Sequence, residues 1–148
     1  MAENGISGPA ASLINGMDPA DAVATGLVSY SGPDFTVAVE GFTCGFGNGA
    51  GPLLDTFAVQ FMDAGAVRCY IGSASLRTVD GLGVGSTEAE VRTVLGAPTE
   101  ARPENFGPGQ ELLYRRAGGG YNFTIQGGSV AFWSVGSWDD LHLVEGCL

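Results

Sequence analysis

The sequence predicts an α+β fold with two tandem repeats. Each repeat would be a short helix followed by antiparallel strands, and the strands would form one continuous or paired sheet with both helices on one face. A motif that occurs twice predicts this fold: residues 85–91 (GSTEAEV) and a weaker copy at 16–22 (GMDPADA). Each copy precedes an alternating strand pair that ends in glycine, at Gly72 and Gly136, and such a period indicates a duplicated unit. We expect repeats at residues 1–78 and 79–148 in one compact domain.

Each predicted helix has its own start and stop signals. In the second repeat, Thr87 can cap the helix and Glu90 stands three residues later, which is a capping box. Gly96 suits the first position after the helix, so we expect a helix over 88–95. Its apolar face has the spacing i, i+3, i+4: Val91, Val94 and Leu95. The first repeat uses other residues for the same signals: Asp18 as cap, Pro19 at the first position and Gly26 after the end.

Alternating apolar residues predict the strands. The runs cover residues 35–39, 57–61, 67–71, 112–114, 121–125 and 130–135. Glycine-containing turns at 63–65 and 126–129 would join them into hairpins. We interpret two glycine-rich stretches, 45–51 and 107–109, as loops, and residues 141–144 as a possible final strand.

Composition excludes several classes of partner. The formal net charge is −10 and the chain has no lysine, which argues against binding to nucleic acid or to anionic membranes. No apolar run is long enough to span a bilayer. Residues 1–4 (MAEN) have none of the features of a signal peptide, so an exported form would begin after a signal that is absent here.

The second repeat resembles a known exported domain, on the residues 85–91, 95–98 (LGAP), the hairpin segment 121–125 (YNFTI), Val130 and 135–136. That domain is shared by the BamE (SmpA/OmlA) outer-membrane assembly lipoproteins and the β-lactamase inhibitory protein. The whole chain is more similar to a group of uncharacterised exported bacterial proteins, which have stretches like 77–85 (RTVDGLGVG) and 144–147 (VEGC). The resemblance implies helix-plus-hairpin repeats, export to the periplasm or the exterior, and a protein-binding role. The motifs are mostly caps and glycines, so they specify fold better than activity.

The leading functional hypothesis is an exported, non-enzymatic protein-binding or envelope-associated module that presents a sheet face to a protein partner. Core packing accounts for most of the aromatic residues, but Phe132 and Trp133 must point to opposite faces of their strand. One of them would lie in the core and the other on the open sheet face, where aromatic and arginine side chains are typical anchors of interfaces. We predict a site for a protein partner that uses these residues: Tyr114, Arg115, Phe132 and Trp133. Another hypothesis is that the chain is a stability domain of a longer periplasmic protein.

A catalytic alternative rests on His142, the one histidine of the chain. With Asp140 and the acidic tail it could serve a small hydrolase or a ligand-binding protein. No nucleophile motif flanks it, so a surface histidine is the simpler interpretation. No residues have the spacing of a metal or cofactor site: 81–85 lacks the phosphate-binding pattern, and Asp139, Asp140 and Glu145 form no calcium loop. We also discount the glycosylation-type triplet 122–124 (NFT), which falls inside a strand.

Three cysteines allow three pairings. Cys69 alternates with apolar residues and resembles an inward-facing strand residue, for which a thiol behaves as a small hydrophobe. Cys44 opens a glycine-rich stretch and Cys147 lies next to the C-terminus. We predict a Cys44–Cys147 disulfide with Cys69 as a buried thiol. A Cys44–Cys69 bond within the first repeat is the competing possibility, and it would resemble the pattern of the inhibitor.

Overall fold

A computed structural model describes residues 5–7, 12–14, 16–29, 44–50, 56–62 and 65–142. Within these ranges there are two α-helices: α1 (Pro19–Ala24) follows the second strand, and α2 (Glu88–Leu95) follows the sixth. A 3₁₀ turn, Asp140–His142, follows the last strand. The strands are β1 (Gly5–Ser7), β2 (Ser12–Ile14), β3 (Val28–Ser29), β4 (Cys44–Gly49), β5 (Phe57–Met62), β6 (Gly65–Ile71), β7 (Glu100–Pro103), β8 (Gln110–Arg116), β9 (Gly119–Gln126) and β10 (Ser129–Gly136).

Eight of the strands form one antiparallel sheet in the order β3-β4-β5-β6-β10-β9-β8-β7, and β1 pairs separately with β2. The first and second halves of the chain each supply four neighbouring strands of this sheet. The halves meet where β6 pairs with β10, in a register that sets Ile71 opposite Trp133 and Cys69 opposite Val135. Hydrogen bonds between main chains therefore continue from one half to the other.

The predicted α+β class with two helix-plus-strand repeats is wrong, because the described chain is largely β. Its dominant element is the eight-stranded sheet. Of the two described helices, α2 is the longer and has only eight residues. The first helix has six residues, since its cap at Asp18 and its positive-φ stop at Gly26 leave no more room. The motif at 16–22 therefore predicted the position of a helix correctly but overstated its weight in the fold.

Helix α2 confirms the end signals found in the sequence. The Oγ1 atom of Thr87 accepts a hydrogen bond from the Glu90 amide at 3.1 Å, and the Glu90 carboxylate accepts one from the Thr87 amide at 2.7 Å. The hydrogen bonds to Thr87 hold the pKa of Glu90 below its ordinary value. Val91 is the buried residue of the helix, so α2 contacts the core mainly through one side chain.

One face of the sheet, here called the core face, carries the hydrophobic core. Directly paired residues of antiparallel strands lie on the same face, and the register therefore places alternate residues of each strand together. The helices cover this face, because Ala22 of α1 and Val91 of α2 belong to the same cluster. From the strands the cluster takes Val28, Phe57, Val59, Phe61, Cys69, Ile71, Leu112, Tyr114, Tyr121, Phe123, Ile125, Val130, Trp133 and Val135.

Three local predictions need correction or fall outside the described chain. The stretch 45–51 is not a loop: β4 runs through it and pairs with β5. Glycine is required there because a Cβ on Gly47 would stand 2.6 Å from Cγ1 of Val28. The predicted final strand begins instead as the 3₁₀ turn, and its remaining residues lie outside the described ranges, as does the predicted strand at 35–39. The edge strand β7 was not predicted, because it is short and ends in proline.

Candidate functional site

The four predicted binding residues divide between the two faces of the sheet. Trp133 is fully buried and Tyr114 nearly so, and both lie on the core face. The Tyr114 hydroxyl donates to the Gly96 carbonyl at 3.1 Å, and burial raises the pKa of this tyrosine. Phe132 and Arg115 lie on the opposite face, where Phe132 remains 37% exposed. Two of the four residues are therefore part of the core, and two reach the surface.

The face opposite the core, here called the polar face, carries side chains that the sheet register places in rows. One row crosses four strands, from Phe132 on β10 through Thr124 and Glu111 to Arg102 on β7. Arg102 and Glu111 form an ion pair with 2.6 Å between Nε and Oε2. Adjacent strands are about 4.8 Å apart, so the row spans about 14 Å. It combines an aromatic ring, a hydroxyl and a charged pair along one line.

The next row on the polar face is centred on Ser134 and Asn122, with Tyr70 beside Ser134 and Leu113 beside Asn122. Leu113 is buried but lies outside the main core cluster. The polar face therefore has a buried layer of its own. Six side chains classed as buried and polar or charged lie on it: Gln60, Arg68, Glu111, Asn122, Thr124 and Ser134.

Arg68 is the central cation of this layer. Its Nε donates to Oγ of Ser134 at 3.0 Å, and its Nη1 donates to the Asp140 carbonyl at 3.2 Å. Its guanidinium lies 4.5 Å from the centre of the Tyr70 ring, whose hydroxyl donates to Gln60 at 2.7 Å. Burial lowers the pKa of Arg68 and raises that of Tyr70. The network fixes the middle of the polar face.

Two oxygens of the polar face have no hydrogen-bond partner within the described part of the chain. They are Oδ1 of Asn122 and Oγ1 of Thr124, and both are buried. Leaving a buried polar group unpaired costs about 1–3 kcal/mol. Such groups are rare in folded proteins and call for an explanation by strain, water or a bound molecule.

An open depression of about 300 Å³ adjoins these rows. The residues Asn48, Thr56, Ala58, Tyr70 and Gly72 line it together with Phe57. Gly72 follows Ile71, the register partner of Trp133, and so comes next to Phe132. A Cβ at Gly72 would meet nothing within 4 Å. Through Tyr70 the depression adjoins the row of Ser134 and Asn122, and Phe132 is not among its lining residues.

The histidine of the catalytic alternative is held by two acceptors. Its Nδ1 lies 2.9 Å from the Trp138 carbonyl, and its Nε2 lies 2.9 Å from Oε2 of Glu100. The nearby Ser137 hydroxyl is hydrogen-bonded to the Asp140 carboxylate instead. Neither ring nitrogen is therefore placed to take a proton from a serine in this arrangement.

Cys69 is buried and free, as its alternation with apolar residues predicts. Burial raises the pKa of its thiol to about 12. A Cys44–Cys69 bond does not fit the sheet, because β5 separates their strands by about 9–10 Å, beyond the reach of about 6.8 Å for a disulfide. Cys147 lies outside the described residues, so the Cys44–Cys147 bond stays a prediction.

The described residues form neither a metal-binding cluster nor a membrane-spanning helix. They contain no group of three or more histidine, cysteine, aspartate or glutamate side chains that could hold a metal ion. Glu145, part of the acidic tail, is not among them. No described helix has the length and apolar character needed to cross a membrane.

The sequence interpretation missed the buried polar layer. Its signal was present in β9, where Asn122 and Thr124 alternate with the apolar Tyr121, Phe123 and Ile125. Alternation of this kind usually marks a solvated face, so burial of the polar residues was not predictable from it.

No protein-family model, curated protein or solved structure matches the chain.

Proposed function

We propose that the protein is an exported bacterial protein-binding module without enzymatic activity, which presents the polar face of its sheet to a protein partner. The observation that carries the proposal is the row that runs from the exposed Phe132 ring past the unpaired hydroxyl of Thr124 to the Arg102–Glu111 pair. Aromatic and arginine side chains are enriched at the centre of protein interfaces, and the row has one of each at its two ends. Export and envelope association rest on the resemblance of the second repeat to exported domains.

The chemistry of the row supports binding more than turnover. Phe132 offers apolar area at the surface, Arg102 offers a partly exposed guanidinium that is paired with Glu111, and the Thr124 hydroxyl between them is buried. Its charged residues pair with each other, and its remaining groups are an aromatic ring and a hydroxyl. The His142 alternative depends on a ring nitrogen that can accept a proton, and both nitrogens are committed to Trp138 and Glu100.

The proposal also fits the charge distribution. Three of the six arginines, Arg68, Arg102 and Arg115, lie on the polar face of a chain whose formal net charge is −10. The described strands also place Glu100 and Glu111 on this face, so its arginines outnumber its glutamates by one and it is less acidic than the molecule as a whole. A protein partner could approach it without the repulsion that the rest of the surface would exert on an acidic molecule.

Capture from the envelope fraction of the bacterium that produces the protein tests the proposal. Immobilised wild type is compared with Phe132→Ala and with Phe106→Ala, a matched control that removes a 73% exposed ring from the β7–β8 loop. We expect Phe132→Ala to reduce retention of one specific protein at least tenfold, about the effect of losing an anchor residue, while Phe106→Ala retains it.

Unfolding curves of the three proteins accompany the capture. If Phe132→Ala unfolds as the wild type does and still retains the same proteins, the polar face is not the binding surface. Equal loss in both variants would point to general stickiness of exposed rings and would also reject the proposal.

A further inference from the structure

The 3₁₀ turn at the end of the described chain covers one end of the polar face. A Cβ at Gly120 of β9 would stand 3.1 Å from Cδ1 of Leu141 and 3.1 Å from Cε3 of Trp138. Leu141 is fully buried there, and Arg68 of β6 donates to the Asp140 carbonyl. The turn therefore covers the row of Gly120 and Gly136, which lies next to the row of Asn122 and Ser134, and it packs directly against the backbone of Gly120.

His142 connects the turn to the far edge of the sheet, where its ring contacts Glu100 of β7. Both partners of the imidazole are acceptors: the Trp138 carbonyl at Nδ1 and the Glu100 carboxylate at Nε2. A carbonyl and an ionised carboxylate cannot donate a hydrogen bond. Both contacts therefore exist together when each ring nitrogen carries a proton, which is the imidazolium form.

We propose that this turn is a proton-sensitive latch on the polar face, closed while His142 carries both ring protons and loosened when it loses one. Histidine changes charge in the range between about pH 5 and 8, so acid closes the latch and neutral to alkaline conditions loosen it. The latch itself does not depend on the proposed function. Its consequence does, because a loosened turn regulates access of a partner to the polar face.

The neutral ring can keep only one of its two contacts. With the proton on Nδ1, the bond to the Trp138 carbonyl remains and the Nε2 lone pair faces the Glu100 oxygen, which it repels. The Glu100 side chain is 42% exposed, so it can turn into water at little cost. The tie from the turn to β7 is then lost. The turn is held only by the Arg68 bond to the Asp140 carbonyl and by the packing of Leu141, so it opens more often.

The charged groups around His142 come from four elements. The Glu100 carboxylate of β7 faces the ring, the Asp140 carboxylate of the turn is held by the Ser137 hydroxyl, and the Asp139 carboxylate is exposed. Arg115 of β8 lies 5.5 Å from the Trp138 ring, which in turn meets the imidazole edge to face at 4.8 Å. Arg68 of β6 reaches the turn through the Asp140 carbonyl. Trp138 thus lies in contact with both Arg115 and His142.

Amide hydrogen exchange of the isolated protein at pH 5.5 and 8.0 tests the latch without any partner. The probes are the amides of Leu141 and His142, which donate to the Ser137 and Asp139 carbonyls. The reference is the Gly96 amide, which makes a comparable terminal bond to Arg92. After correction for intrinsic rates, we expect protection at 141 and 142 to fall about tenfold between the two pH values relative to Gly96, as for the loss of one charge-assisted hydrogen bond.

Three variants make the outcome decisive. Glu100→Gln keeps a partner for either form of the ring, since an amide can accept or donate, and should remove the pH dependence; His142→Gln should remove it too. Asp139→Asn, an exposed carboxylate of the same turn, should leave it unchanged. Protection at 141 and 142 that stays within twofold in the wild type overturns the latch, and so does a pH dependence that survives His142→Gln. Either result leaves the capture experiment with Phe132→Ala unaffected.

Discussion

The two faces of the sheet are built from the same strands but by different physical rules. The core face is closed by aromatic packing: the ring centres of Phe123 and Trp133 lie 6.0 Å apart, and Tyr121 meets Trp133 at the same distance edge to face. The polar face is closed by directional bonds around Arg68, and two of its oxygens have no partner among the described residues. Apolar contacts are non-directional and tolerate small errors, whereas a polar layer is stable only where each group finds its partner. Among the described residues the core face also leaves a polar atom unpaired, Nε1 of Trp133, so the two faces differ in what closes them rather than in whether every polar group has a partner.

The largest expected effect separates two neighbouring residues, because Trp133 belongs to the core face and Phe132 to the polar face. We expect Trp133→Ala to lower the free energy of unfolding by about 3–5 kcal/mol, as for a fully buried aromatic ring. Phe132→Ala should cost less than about 1 kcal/mol, since the ring is already exposed. Denaturant unfolding of both variants measures the difference, and similar losses would mean that the face assignment is wrong.

A smaller effect is expected from a pair of glycines. Gly47 is opposite Val59 on the core face, where an added Cβ would collide with Val28. Gly47→Ala should destabilise the protein by about 1–3 kcal/mol through overpacking. Gly72→Ala, on the side of the depression, has open space around the new methyl group and should be neutral or stabilising by up to about 1 kcal/mol. Thermal unfolding compares them, and an equal cost at both sites would show that backbone freedom, rather than space, decides.

A third test compares two buried threonines. Thr124→Val removes the unpaired hydroxyl and keeps the shape, so we expect a gain of roughly 1 kcal/mol. Thr78→Val is the matched control, because the Thr78 hydroxyl accepts a hydrogen bond from the Leu82 amide at 3.1 Å; it should lose roughly 1 kcal/mol. If Thr124→Val also weakens partner capture, the hydroxyl serves binding at a cost to stability. Destabilisation by Thr124→Val would instead reveal a hydrogen bond in the folded protein.

The smallest expected effect concerns the cysteines. Because burial raises the pKa of Cys69 to about 12, its thiol should not react with an alkylating reagent at pH 8 until the protein unfolds. Peptide mapping without reduction should show the predicted link between Cys44 and Cys147 and a Cys69 that is labelled only in denaturant. Rapid labelling of Cys69 in the native protein would place it at the surface and contradict its assignment to the core.

Local signals in the sequence determined much of the molecule. Thr87, Glu90 and Gly96 specify the limits of α2, since capping depends on neighbours within one turn. The glycine pair 127–128, with positive φ at both residues, specifies the hairpin between β9 and β10. Alternation predicted β5, β6 and β9, and it predicted that Phe132 and Trp133 point to opposite faces.

The tertiary structure alone decided the rest. Gly47 lies in a strand where Val28 and Val59 leave no room for a side chain. Nothing next to it in the chain reveals this. The polar row joins Arg102, Thr124 and Phe132 through the register of four strands, and the latch joins Glu100 to His142 across 42 residues. Pairing between strands depends on packing summed over the whole sheet, whereas caps and turns depend on a few bonds within the local chain. That difference is why helix ends were predictable here, while the fold class and the composition of the site were not.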